Sequence, residues 1–351
     1  MSNNKSVQDI INDIENQIFD TNEASDNEDI DFIMEDIDND DDFEYENSKL
    51  PYKCKWDHIT FDHEYHYEKL NHNGHFKREY RMSFSTYEKL HEILKPYLQR
   101  QTSKTRSNRS INTHIMMVFG VRWLAGGNIS DLSHIVDVSR SAAYHITYDF
   151  LDAVLAAPEL NIELPKTPNQ WNEIRLGFQL KSTDGIIDGC VGCLDGLLQK
   201  TIAPSASDVT NIRSYYSGHY EHYGLNCQAE FESSLKCIYF GVVAPGSTND
   251  NIAYHFANDL ADTIKQLPQG LYFIGDAAYS SSDKLLIPFT DSQRDNQSND
   301  AYNFYISQLR IRIEMAFGLL VSKFRILKTP LQSSVKKMVK LLWHVLGCTI
   351  L

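Results

Sequence analysis

Asp195, Asp276 and Glu314 are acidic residues placed where regular structure would aim them at one another. Asp195 stands in Gly192-Cys193-Leu194-Asp195-Gly196, directly after the apolar run 189–194. Asp276 stands in Phe273-Ile274-Gly275-Asp276, directly after the apolar run 271–274. Both runs read as strands, and ligand sites in open α/β sheets lie outside the carboxyl ends of strands. Glu314 falls in a helix predicted over 303–326, flanked by the apolar stripe Leu309, Ile313, Ala316, Phe317, Leu320 and Phe324. That stripe places Glu314 near the packing face rather than in open solvent. Three converging carboxylates suit a hard divalent cation, Mg²⁺ or Mn²⁺, which prefers oxygen ligands and shares substrate phosphate oxygens. Two such ions roughly 3.5–4 Å apart stabilise the attacking and leaving oxygens of displacement at phosphorus. The chemistry expected of such a triad is cutting or joining of nucleic-acid strands. Taken singly, an Asp before Gly is also an ordinary turn residue, so the reading rests on the three together.

Two neighbours of the triad have two readings each. Asp250 begins a helix after the third strand, where it or Asn249 is a natural N-cap, and a supporting metal role is the alternative. Arg310 lies one helical turn before Glu314, where it could orient that carboxylate, contact phosphate, or form a plain intrahelical pair.

The elements that must position these residues form a mixed α/β pattern. Strands are predicted at 189–194, at 216–231 and 235–243 (a hairpin turning at 232–234), and at 271–274. Helices are predicted over 251–267 and 303–326, the last preceded by a polar loop at 290–300. Upstream of Pro158, Pro165 and Pro168 the pattern is helical. Tyr87, Leu90, Leu94 and Leu98 recur at helical spacing, and a second helix spans 111–125. Two helices at 129–135 and 141–155, joined by a tight turn with Ser139 or Ser141 as cap, read as a helix-turn-helix. Its second helix would present Arg140, Ser141 and Tyr144 to a DNA groove, although plain helical hairpins share the pattern. The acid-free segment 99–110, with Arg100, Lys104, Arg106 and Arg109, would neutralise phosphate.

A net charge of −14 argues against DNA binding until it is divided by position. Residues 1–50 hold 17 acidic side chains against Lys5 and Lys49, which leaves 31 basic and 30 acidic residues in 51–351. The acidic segment buries too little apolar surface to offset its ordering entropy and is expected to be disordered. No apolar run approaches the ~18 residues of a membrane span. Six cysteines without a secretory signal read as free thiols in a reducing compartment, and Cys190-Val191-Gly192-Cys193 reads as strand packing rather than a zinc site. The His-rich stretch 53–75 reads as polar surface.

Several short motifs occur in a fixed order. They are Asp195-Gly196, then Pro204, Tyr215-Tyr216-Ser217 and Tyr223 to Ala229, then Pro245-Gly246-Ser247-Thr248-Asn249-Asp250, Gly275-Asp276-Ala277-Ala278-Tyr279, and Arg310 to Gly318. In this order they resemble the catalytic domain of PIF/Harbinger-type DDE transposases and their domesticated relatives, over about 178–327. The resemblance implies a ribonuclease H-like mixed sheet preceded by the helical region, and a DDE triad of Asp195, Asp276 and Glu314 using Mg²⁺ or Mn²⁺. It also implies DNA as partner and a separate DNA-binding protein; self-association as a homo-oligomer is open, and the expected setting is the nucleus or nucleus and cytoplasm. The expected organisation is an acidic tail at 1–50, a helical region at 51–165, the DDE domain at 178–330, and a C-terminal helix at 331–351 that stops short of where relatives continue. One departure is Leu197-Leu198, where the family usually has Thr-His or similar. The competing reading is a domesticated module that binds DNA or protein with a silent active site.

Overall fold

Alternating burial and helical periodicity translate into eleven α-helices and six strands among the described residues of the computed structural model, which are 61–98, 111–294 and 296–347. The acidic tail, the basic segment with Arg100, Lys104, Arg106 and Arg109, and Cys54 and Cys348 lie outside them. The helices before the sheet are α1 (His63–His72), α2 (Phe76–Tyr80), α3 (Phe84–Leu98), α4 (Thr113–Leu124), α5 (Ile129–Val136), α6 (Arg140–Ala156) and α7 (Pro168–Gln179). Next come β1 (Cys190–Lys200), β2 (Tyr216–Ser217), β3 (His222–Phe231), β4 (Cys237–Pro245), α8 (Asp250–Phe256), α9 (Asn258–Lys265), β5 (Tyr272–Ile274), β6 (Leu285–Leu286), α10 (Gln297–Lys323) and α11 (Val335–Gly347).

The sheet is mixed. β1 runs antiparallel to β3 and parallel to β5, β3 is antiparallel to β4, and β5 is parallel to β6. This mixed α/β architecture is consistent with the ribonuclease H-like fold expected of a DDE domain. Side chains alternate across it by the two-residue period of a strand. Cys193, Cys227, Ala229 and Ile274 face one core with Leu309 and Ile313 of α10 and the upstream helices. Leu194, Phe273 and Leu285 face another, with Leu260 and Ile264 of α9 and Trp171 of α7. The first core runs continuously from Tyr67 to Val345, so the upstream helices, the sheet and α11 share buried surface.

Several sequence expectations needed adjusting. β1 extends six residues beyond the predicted 189–194 because its antiparallel pairing with β3 continues to Lys200, opposite Gly224. α10 starts at Gln297, inside the predicted polar loop, because Asn296 caps it by accepting from the Asn299 N–H. Pro168, read as a boundary, opens α7: Thr167 and Gln170 form a capping box, and proline suits the first helical position. The described part of the His-rich stretch holds α1, whose Tyr67 is core. Tyr67, Phe76, Tyr80 and Tyr87 are buried together, with Tyr67 and Tyr87 hydroxyls 2.7 Å apart. The predicted helix 251–267 breaks at Ala257 into α8 and α9.

One buried charge stands out. Glu230 on β3 is fully buried, neither carboxyl oxygen has a hydrogen-bond partner among the described residues, and burial pushes its pKa well above the ordinary glutamate range. A folded-state pKa above the unfolded one gives stability that is intact in acid and is lost as pH rises through the folded value. Glu230→Gln, neutral at every pH, is therefore expected to raise stability by about 1–3 kcal/mol at pH 8 and by little at pH 4. Thermal melts across that range would check it, and a gain independent of pH would contradict it.

Candidate active site

The site is built by register. Cys193 of β1 and Ile274 of β5 are parallel partners on the face covered by α10, where the Cys193 thiol meets the Leu309 carbonyl at 3.3 Å. Two residues further along each strand direction, on the same face by strand alternation, come Asp195 and Asp276. The parallel pairing ends at this point, so the sheet opens beside β1 just where the two carboxylates emerge. Asp195 is therefore an interior residue of β1 paired with Ala229 of β3, a correction to its expected place at a strand end. It marks a strand end only relative to β5.

α10 supplies the other groups. Arg310 Nη2 donates to Glu314 Oε1 at 2.8 Å, and its Nη1 lies 4.0 Å from Asp276 Oδ1. The guanidinium thus stands between two members of the predicted triad. Glu314 is half exposed, a correction to its expected place near the packing face. The apolar stripe of α10 is Leu309, Ile313, Ala316 and Leu320, and Glu314 lies beside it on the solvent side.

Asp250 joins from the other side. Asn249, not Asp250, caps α8 by accepting the Ile252 N–H. Asp250 is free to turn inward, where its Oδ1 accepts from Asn226 Nδ2 at 2.9 Å. Gln228 Nε2 reaches Asn226 Oδ1 at 2.9 Å, and the Tyr279 hydroxyl donates to Gln228 Oε1 at 2.7 Å. This buried chain ties the Asp276 loop, through Tyr279, to β3 and Asp250. Asn226, Gln228 and Tyr279 stand inside the ordered motifs of the sequence, which gave them no role; the alternation of Asn226, Gln228 and Glu230 along a buried strand was a signal for polar groups on one inner face. Tyr220, in the turn before β3, also faces the acids. Burial raises its pKa, and the charges of Asp250, Asp195 and Asp276 raise it further.

Electrostatics follow from this crowding. Burial pushes Asp195 up from the ordinary 3.8 to about 6; the Gly196 N–H opposes the shift, Asp276 adds to it, Arg310 opposes it, and Asp250 adds to it. Asp195, Asp276 and Glu314 thus share one guanidinium, while Asp250 is held by Asn226. Among the described residues, no group of three or more His, Cys, Asp or Glu side chains is positioned to hold a metal ion. The acids feel one another's charge without converging on a point, and Glu314 is engaged by Arg310. The donor set nonetheless fits a hard divalent cation: all oxygen ligands, an excess of negative charge, and a desolvated Asp195 that a cation would favour in its ionised form.

Gly196 explains why glycine follows Asp195. A Cβ there would lie 2.1 Å from Asp250 Oδ1, which Asn226 holds in place. Gly196→Ala should push Asp250 off Asn226 and cost about 1–3 kcal/mol. A melt of Gly196→Ala beside Gly196→Ala/Asp250→Ala would check it, since removing Asp250 should relieve the cost; equal losses in both would contradict it.

The remaining candidates lie elsewhere. Arg140, Ser141 and Tyr144 are in the first turns of α6, with Ser139 as its cap, and Arg140 and Ser141 are exposed. No helix among the described residues is long and apolar enough to cross a membrane. Cys190, Cys193, Cys227 and Cys237 are buried free thiols.

No curated protein and no solved structure matches the chain. Residues 194–351, which carry Asp195, Asp250, Asp276, Arg310 and Glu314, match the family described as DDE superfamily endonuclease, and this match supports the DDE superfamily for that part of the chain.

Proposed function

We propose that this chain is a divalent-metal-dependent DNA endonuclease of transposase descent, of PIF/Harbinger type, with Asp195, Asp276 and Glu314 as its DDE triad. The observation that carries the reading is the register of β1 and β5, which sets Asp195 beside Asp276 under the Arg310–Glu314 pair. Asp195 and Asp276 would hold Mg²⁺ or Mn²⁺, and Glu314 would join them once parted from Arg310. When bound, the ion supplies Lewis-acid stabilisation of the attacking and leaving oxygens at phosphorus. Arg310, freed of Glu314, would contact the phosphate as a bidentate donor. Asp250 and Tyr279 act as positioning residues through Gln228 and Asn226. The organisation proposed is an acidic tail (1–50), a helical DNA-contacting region (51–165) with Arg140, Ser141 and Tyr144, the nuclease domain (178–330) and a C-terminal helix. A separate DNA-binding partner, self-association and a nuclear setting belong to the same proposal.

The Arg310–Glu314 pair favours a second reading, a module with a silent site that binds DNA or protein. Nicking of supercoiled plasmid in Mg²⁺ and Mn²⁺ separates the two. Cleavage by the native chain that disappears in Asp195→Ala and Asp276→Ala supports the nuclease. Equal cleavage by all three would remove the assignment, and DNA binding without cleavage would favour the silent module.

A further inference from the structure

A cleft of about 750 Å³ opens between α6 and the segment that follows α10. One wall carries Arg140, Tyr144 and Tyr148 of α6. The other carries Arg325 and Lys328, with Lys337 of α11 at its end. Among the described residues no Asp or Glu lines it. A described lining with four cationic side chains and no carboxylate favours an anionic ligand. Aromatic rings are interleaved with the cations. Trp123, Tyr144 and Tyr148 all line the cleft, and the Lys337 ammonium lies 5.8 Å from the centre of the Tyr148 ring.

The walls are held by the fold. Gly126, at φ +97°, lets the end of α4 approach Arg325 closely, since a Cβ there would be 2.9 Å from the Arg325 Cβ. The segment after Lys328 is pinned to the end of β1: the Leu331 N–H donates to the Lys200 carbonyl at 3.0 Å, and the Ile202 N–H to the Leu331 carbonyl at 3.1 Å. β1 carries Asp195, and α10 carries Glu314. From Glu314 to the end of α10 at Lys323 is roughly 14 Å along the helix, so one strand of nucleic acid could reach both places.

Basic side chains interleaved with stacking rings are what a single-stranded nucleic acid requires: charge for the backbone and π-faces for the bases. The volume falls in the range of enclosed ligand pockets, about 300–1,000 Å³, which holds a few nucleotides and not a duplex. We infer that this cleft binds a short single-stranded DNA segment adjoining the site of cleavage, with Arg140, Arg325, Lys328 and Lys337 on phosphates and Tyr144 and Tyr148 against bases. The choice of nucleic acid rests on the nuclease reading. It also changes the expected use of Arg140 and Tyr144, which face a cleft shared with the C-terminal segment rather than a duplex groove.

The test is binding of a fluorescein-labelled dT₁₂ to the full chain in EDTA, read by anisotropy over a salt series, with circular dichroism melts confirming that each variant folds. Arg325→Ala/Lys328→Ala should weaken binding at least tenfold and reduce the slope of log K against log salt by about 0.7 for each phosphate left unneutralised. Tyr148→Ala should weaken it about fivefold or more with the slope unchanged. Lys265→Ala on α9 should leave both unaltered. Unchanged affinity in the folded cleft variants overturns the inference, as does an equal cleft-dependent affinity for a blunt duplex or for thymidine monophosphate. A cleft-dependent affinity for a peptide of residues 21–47 with none for dT₁₂ also overturns it, and assigns the cleft to the acidic arm instead. Because the readout is metal-free binding, intact cleft binding in a chain that never cleaves sinks the nuclease reading alone. Cleavage with no effect of the cleft variants sinks the cleft alone.

Discussion

Asp195→Asn is expected to abolish metal-dependent nicking, by at least about a thousandfold, and at the same time to make the metal-free chain more stable. Loss of activity follows if Asp195 is the ligand nearest the buried end of the site, because an amide neither carries the charge nor binds a hard cation comparably, and several kcal/mol of transition-state stabilisation depend on that ion. The gain in stability has a separate cause. Burial, together with the charges of Asp276 and Asp250, pushes Asp195 to about 6. A raised folded-state pKa means that stability is intact below the unfolded value near 4 and declines as pH climbs through about 6. At pH 7 and above the whole cost applies, on the order of 2–3 kcal/mol. The neutral amide removes it. A chain that is inactive and melts higher at pH 7.5 in EDTA, but not at pH 4, is the combined signature. Inactivity with a lower melting temperature at pH 7.5 would show that Asp195 is held by interactions the amide cannot keep. Full activity would remove Asp195 from the site.

Gly120→Ala is expected to be the most damaging small substitution in the helical part, lowering stability by about 3 kcal/mol and Tm by roughly 5–10 °C. Alanine in mid-helix normally gains about 1 kcal/mol over glycine. Here the added Cβ would fall 2.0 Å from Phe150 Cγ, at the crossing of α4 and α6. Phe150 is fully buried, as are Phe119 and Ile146 around it, so the ring has nowhere to retreat and the clash outweighs the propensity gain. The consequence extends beyond α4. α6 carries Arg140, Tyr144 and Tyr148, so a shift of its axis displaces one wall of the basic cleft. Shortening the ring in Gly120→Ala/Phe150→Leu should recover more than half of the missing stability. Failure of the double variant to recover would mean that the glycine serves the backbone, not the crossing.

These two residues also mark how far sequence reading reaches. Asp195 and Asp276 were legible because each follows an apolar run in a short motif, and local order along the chain is what motifs record. Their being neighbours was not legible. It depends on β1 and β5 pairing in parallel across an intervening hairpin and two helices, a non-local choice made by the burial of both sheet faces. The same long-range pairing with β3 lengthened β1 and moved Asp195 from strand end to strand interior. Gly120 drew no notice in sequence because nothing local distinguishes a helix crossing from a helix interior.

Local chemistry determined much by itself. The caps Ser139 and Asn249, the spacing of Leu90, Leu94 and Leu98, the hairpin at 232–234 and the one-turn offset of Arg310 and Glu314 follow from interactions within a few residues, which the sequence states directly. Only tertiary structure decided that Glu314 is half exposed, that Asp250 bonds Asn226 rather than capping α8, and that Arg140 and Tyr144 face Arg325 and Lys328 across a cleft. The physical reason is the same in each case. A side chain's partners are set by which distant surfaces are buried together, and that depends on the packing of the whole chain rather than on any segment's own pattern.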